Sequence, residues 1–174
     1  MHGHVLEICG DEYAVKFGRN ISKIDILDIL PDNPRATIIG DIADAPALPD
    51  ATFECVLVTQ TLPFVFDLPG VFATLHRILA PGGVALITTP GICRIAPVED
   101  RLFGHWWNLT PASLARLAGT AFGTDQVSVE TFGNVLSATG FLFGLGPYDL
   151  SPSELDDHDP AFPVTVGLRA VKQV

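Results

Sequence analysis

The sequence predicts an α/β fold: a mostly parallel, twisted sheet with helices on both faces. Three observations carry this. Three short apolar runs, Ala36–Ile39, Cys55–Thr59 and Val84–Thr88, are rich in Val, Ile, Leu and Thr without clean alternation. That is the pattern of strands buried on both faces. Between the last two lies Pro69–Leu79, with Val71, Leu75, Ile78 and Leu79 on one helical face. Pro69 suits a first helical turn, and Pro81-Gly82-Gly83 stops the helix and turns the chain. Strand, helix and strand in that order make a βαβ unit, whose crossover is right-handed.

The elements follow in order. His4–Gly10 reads as the first strand, running into a turn at Gly10, and Asp11–Phe17 as one or two helical turns. Ile24–Ile29 is the second strand. Residues 30–35 are a turn cluster around Pro31-Asp32-Asn33-Pro34. The link from Ile29 to Ala36 is too short for the usual crossover helix, so that part of the sheet is expected to be thinly covered on one face. Gly40-Asp41-Ile42 closes the third strand. After the fifth strand, Pro90–Asn108 reads as a long loop holding both tryptophans of the chain, and such loops are often functional. Thr110 and Pro111 open a helix as N-cap and first position. Gln126–Phe132 is a sixth strand, Asn134–Leu145 is apolar nearly all round and reads as helical, and Ser151–Glu154 is a capping-box pattern opening a short acidic segment through Asp159. Val164–Val171 is the last strand.

Size and composition set bounds. At 174 residues the chain is read as one domain, residues 1–174. Apolar residues make up 48%, and mean hydropathy is +0.36. No apolar stretch is long enough to span a membrane. Three cysteines, Cys9, Cys55 and Cys93, are an odd number, and reduced thiols in a cytoplasmic protein are the simplest reading. The net charge of −10 argues against a nucleic-acid partner, because phosphate neutralisation needs clustered Lys and Arg. It suits a cationic ligand, or simply keeps the protein soluble. No metal-ligand spacing occurs, and no G-x-S-x-G elbow.

Several motifs fall together: Gly40-Asp41, Leu48-Pro49, Phe53-Glu54-Cys55-Val56, and Leu75-His76-Arg77-Ile78-Leu79-Ala80-Pro81-Gly82-Gly83. This set resembles the core of class I S-adenosylmethionine-dependent methyltransferases, of the small-molecule branch called type 11. The R-I-L-x-P-G-G end of the helix is its most specific piece. The resemblance covers residues 4–91 well and continues more weakly through Trp107 to Leu114 and the C-terminal strands. It implies a Rossmann-like sheet with the last strand antiparallel beside strand five, S-adenosylmethionine as cofactor, and a small acceptor such as a sugar or natural product.

The resemblance also implies roles. Glu7 matches the acid ending strand one. Cys9 stands where the first glycine of the following loop is expected, or else Gly10 is that glycine displaced by one. Asp28, with Ile29 beside it, matches the acid that binds the ribose hydroxyls; the alternative is that Asp28 caps the turn that follows. Asp41 would accept from the adenine amino group, and Ile42 would flank the ring. Gln60 sits after strand four. Glu7, Asp28, Asp41 and Gln60 thus fall at four strand ends, where open α/β sheets bind ligands. His105, between Gly104 and the two tryptophans, is the candidate general base.

Two other classes stay open. One is a degenerate methyltransferase fold serving as a binding or scaffold protein, favoured by the Cys9-Gly10 loop and the lost helix. The other is a nicotinamide-dependent oxidoreductase, disfavoured because one glycine with two carboxylates, Asp11 and Glu12, would repel a diphosphate. The resembled enzymes carry several dozen residues before strand one. The sequence therefore leads to an expectation of an open lid, weak cofactor binding and homodimer formation, unless Pro90–Asn108 or Ser151–Asp159 folds over the cofactor.

Overall fold

A computed structural model describes residues Met1–Val174. Its elements are β1 (Gly3–Ile8), α1 (Glu12–Phe17), β2 (Ile21–Asp28), β3 (Ile38–Ile39), β4 (Phe53–Thr59), α2 (Leu68–Ile78), β5 (Leu79–Pro90), α3 (Pro97–Phe103), α4 (Pro111–Phe122), β6 (Val127–Phe132), α5 (Val135–Phe143), α6 (Pro152–Asp156) and β7 (Thr165–Val171). One seven-stranded sheet runs β3-β2-β1-β4-β5-β7-β6. Strands β1 to β5 pair in parallel. Strand β7 is antiparallel to both β5 and β6. The strand order reverses between β1 and β4, so their carboxyl ends open a crevice at a topological switch point.

The two faces of the sheet are unequal. Val56 and Val58 of β4 join Leu6, Val71, Phe72, Leu75 and Ile78 in the main core under α2. The alternate positions Cys55 and Leu57 join Val5 and Ala14 in a small cluster under α1. Val71, Leu75 and Ile78 are fully buried, each stabilising the fold by about 1.5–3 kcal/mol relative to exposure. The second face has only the six-residue α1 near β1. A groove of about 660 Å³ remains there, lined by Tyr13, Phe17, Leu57, Leu86, Phe132 and Arg169 among others.

The R-I-L-x-P-G-G segment ties the fold together. Arg77 donates to the Leu48 and Ala45 carbonyls at 2.7 and 2.8 Å and to Asp50 at 2.6 Å, pinning the loop before β4. Helix α2 ends at Ile78, with Leu79 already extended. Pro81-Gly82-Gly83 is not a separate turn but an irregularity inside β5: Phe53 pairs with Leu79, yet Cys55 pairs with Val84. Gly82 adopts φ +79, a conformation glycine takes without steric cost.

Two further expectations are corrected. Strand β3 has shrunk to Ile38–Ile39 from the expected Ala36–Ile39. The segment Pro90–Asn108 is not a structureless loop, because Pro97–Phe103 forms α3 with Pro97 at its start. No residue of α3 is buried, so no buried face left a periodic signal in the sequence. As expected, no helix links β2 to β3, and Thr110 and Ser151 cap α4 and α6 through their side chains; Asn134 does the same for α5. No helix is long and apolar enough to cross a membrane.

Candidate active site

Strand ends β1, β2, β3 and β4 surround a cleft of about 750 Å³, closed on the far side by residues 64–67 and by α3. Of the residues expected at a site, Asp28, Ile29, Asp41, Ile42 and Gln60 line it. Asp28 ends β2 and is 5% exposed. Its carboxylate accepts from the Leu30 N–H at 2.9 Å and the Asn33 side-chain amide at 2.6 Å. It therefore holds the turn after β2 and also faces the cleft. One Asp41 oxygen accepts from the Ala43 N–H at 2.9 Å. Ile29 stands exposed in the wall, while Ile42 is buried beneath it.

Glu7 and Gly10 do not line the cleft. Glu7 is buried and accepts from the Tyr13 and Ala14 N–H groups at 3.1 and 2.8 Å, tying the start of α1 to the end of β1. Burial raises its pKa, against the lowering effect of those two backbone bonds. Its place is under the loop. The conformational demand of that loop falls on Cys9, which adopts φ +65, whereas Gly10 is not in the left-handed region. Cys9 lines the cleft. Partial burial raises its thiol pKa, and the Asp28 carboxylate adds to this. Gln60 likewise adopts φ +54 at the end of β4, where its N–H donates to the Thr88 carbonyl at 2.8 Å.

His105 is not brought into the cleft. Its backbone N–H donates to Asp100 at 2.9 Å, and its Nδ1 accepts from the Ala96 N–H at 3.3 Å. Its ring lies edge-on to Phe64, which does line the cleft, with centroids 5.3 Å apart. The sequence reading missed the stretch from Phe64 to Asp67, all of which lines the cleft. Asp67 carried a signal, since Asp-Leu-Pro is an N-cap followed by a first-turn proline, and one carboxylate oxygen does accept from the Gly70 N–H at 3.0 Å. Glu99 and Trp106, from the segment already singled out, are lining residues too.

The family described as "Methyltransferase domain" matches residues 2–141. The chain belongs to that family. A probable S-adenosylmethionine-dependent methyltransferase of Mycolicibacterium smegmatis is 28% identical over 122 residues, 68% of this chain and 47% of that protein. The malonyl-[acyl-carrier protein] O-methyltransferase of Serratia marcescens is 31% identical over 91 residues, 47% of this chain and 35% of that protein. The chain thus spans half or less of the length of these relatives. The fold matches the Haemonchus contortus phosphoethanolamine N-methyltransferase 2 bound to S-adenosyl-L-methionine, with TM-score 0.61, 16% identity, and coverage of 100% of this chain and 49% of that one.

The cofactor of this methyltransferase family is S-adenosylmethionine, and the residues of the cleft fit it. Asp28 and Asp41 offer carboxylate acceptors to hydroxyl and amino groups. Ile29 and Ile42 offer apolar faces. No Lys, Arg or His lines the cleft, which suits a ligand that carries a sulfonium and an ammonium and no phosphate.

Proposed function

We propose that this methyltransferase domain moves a methyl group from S-adenosylmethionine to a small acceptor, a sugar or another natural product. The observation that carries the reading is Asp28, almost wholly buried yet facing the cleft at the end of β2. Asp28 and Asp41 would hold the nucleoside, with Ile29 and Ile42 against its ring and Gln60 at the β4 end. When bound, the cofactor supplies a methyl carbon already activated by a sulfonium. The chain's own part is then to align the two partners and exclude water. An oxygen acceptor also needs its proton removed. His105 is the proposed base, on condition that its Nδ1 is released from the Ala96 N–H and its ring turns past Phe64 into the cleft. Titration calorimetry with S-adenosylmethionine, followed by label transfer to a panel of sugars and natural products, tests the reading.

Cys9 in a left-handed backbone favours one second reading, a methyltransferase fold that binds without catalysing. Binding of S-adenosylmethionine with no transfer to any acceptor would support it. We also propose a homodimer formed through the groove over β4, β5, β7 and β6, and no nucleic-acid partner given the net charge of −10. Mass in solution tests the first point, and binding to duplex and single-stranded DNA tests the second.

A further inference from the structure

We infer that the acceptor end of the cleft is built for an organic ammonium: the substrate carries a basic nitrogen, and carboxylate or phosphate substrates are rejected. This rests on the methyl-transfer reading and names its substrate class.

Four carboxylates line the cleft, Asp28, Asp41, Asp67 and Glu99, and no cationic side chain does. The ion pairs of the chain lie elsewhere, on Asp25, Asp11, Glu12 and Asp50. The negative potential of the cleft is therefore not balanced by the protein. Clefts lined by one sign of charge concentrate ligands of the opposite sign and repel those of the same sign. The sheet order separates the acids into two groups. Asp28 and Asp41 sit at the β2 and β3 ends. Asp67 and Glu99 follow β4 and β5, on the other side of β1.

Aromatic rings stand beside the second group. Phe66 meets Trp106 edge-on, with centroids 5.2 Å apart at 74°, and stacks on Trp107 at 5.9 Å and 29°. Phe66 and Trp106 are 66% and 51% exposed, so part of each ring is open to a ligand. Trp106 is fixed at two points, its Nε1–H donating to the Phe103 carbonyl at 2.9 Å and its backbone N–H to the Pro63 carbonyl at 2.8 Å. Aromatic faces with carboxylates close by attract a cationic nitrogen through ring quadrupole and charge together. Asp67 uses one oxygen to cap α2, leaving the other available. Such a wall is pre-formed, which lowers the cost of binding.

The test uses three probes of matched shape: phenethylammonium, 2-phenylethanol and phenylacetate. Trp106 lies in this wall and Trp107 stacks on Phe66 behind it, so intrinsic fluorescence reads occupancy. Phenethylammonium is expected to bind about tenfold tighter than 2-phenylethanol, with phenylacetate weaker still. Asp67→Asn with Glu99→Gln should erase the preference while thermal stability is kept, since asparagine can still cap α2. Equal or tighter binding of phenylacetate, no binding of phenethylammonium, or a preference that survives the double substitution overturns the inference. Calorimetry with S-adenosylmethionine on the same protein separates the two ideas. Cofactor binding without an ammonium preference sinks this inference alone. An ammonium preference without cofactor binding sinks the methyl-transfer reading and leaves the ammonium site standing.

Discussion

The side-chain amide of Asn33 donates to the Asp28 carboxylate at 2.6 Å, and the same amide reaches the Cys9 carbonyl at 3.1 Å. Asn33 therefore joins the carboxyl ends of β2 and β1 across the mouth of the cleft. The short β2–β3 link has no helix to brace it, and this contact takes over that work. Asn33→Ala is predicted to destabilise the fold by about 1 kcal/mol and to weaken S-adenosylmethionine binding several-fold. Thermal unfolding and calorimetry check it, and an unchanged affinity would show that Asp28 is positioned without Asn33.

Cys9 adopts φ +65, where a side chain costs about 1–2 kcal/mol. Relief of that strain outweighs the extra freedom glycine gives the unfolded chain, so Cys9→Gly should be neutral or stabilising by up to about 1 kcal/mol. At an ordinary backbone conformation the same change would destabilise. The thiols give a second test. Cys55 is buried, and its pKa is pushed up to about 11 by burial. A thiol alkylator should modify exposed Cys9 before Cys55, and S-adenosylmethionine should slow the reaction at Cys9. Mass spectrometry of the peptides reads both.

Much of the fold was legible because it rests on apolar pattern and turn chemistry. Val71, Leu75 and Ile78 marked one face of α2, and Thr110-Pro111 marked the start of α4. What was hidden depends on tertiary context. In the β1 loop the left-handed position falls on Cys9, a conformation that its residue type does not announce. Helix α3 packs no residue into the core and so left no periodic trace. Glu7 matched a motif, but its two backbone acceptor bonds come from the start of α1, which only the fold brings there. Asp28 and Asp41 were legible as strand-end acids. Asp67 was legible only as a helix cap and Glu99 only as part of the long segment after β5; that both line the same cleft follows from the fold.

Asp25 supplies a pH dependence away from the cleft. Burial raises its pKa, but hydrogen bonds from Lys23, His4 and Thr37 outweigh this and hold it below 3.8. A depressed folded pKa stabilises the fold above the unfolded value, and that contribution is lost as pH falls through the folded pKa. Stability should therefore decline below about pH 4. Asp25→Asn should lower stability at neutral pH by about 1–3 kcal/mol and flatten the acid limb. Chemical unfolding across pH 3–7, flanking the ordinary value of 3.8, checks it; an unchanged acid limb would clear Asp25 of the role.

His105→Ala is predicted to lower turnover about 10²–10⁴-fold with cofactor affinity nearly intact, the range for loss of a general base. A pH–rate profile that loses its acid-limb rise in the variant would agree. A fall of less than tenfold with an unchanged profile would assign His105 to bracing Phe64 from behind the wall.

The most direct test of the account is calorimetric titration of S-adenosylmethionine into the wild-type chain and into Asp28→Ala, with circular dichroism confirming that both are folded. One cofactor should bind per chain, with an affinity about 10–100-fold weaker in the variant, as expected for lost hydrogen bonds to a charged group. No binding to the wild type, or equal affinity in the two proteins, would contradict it.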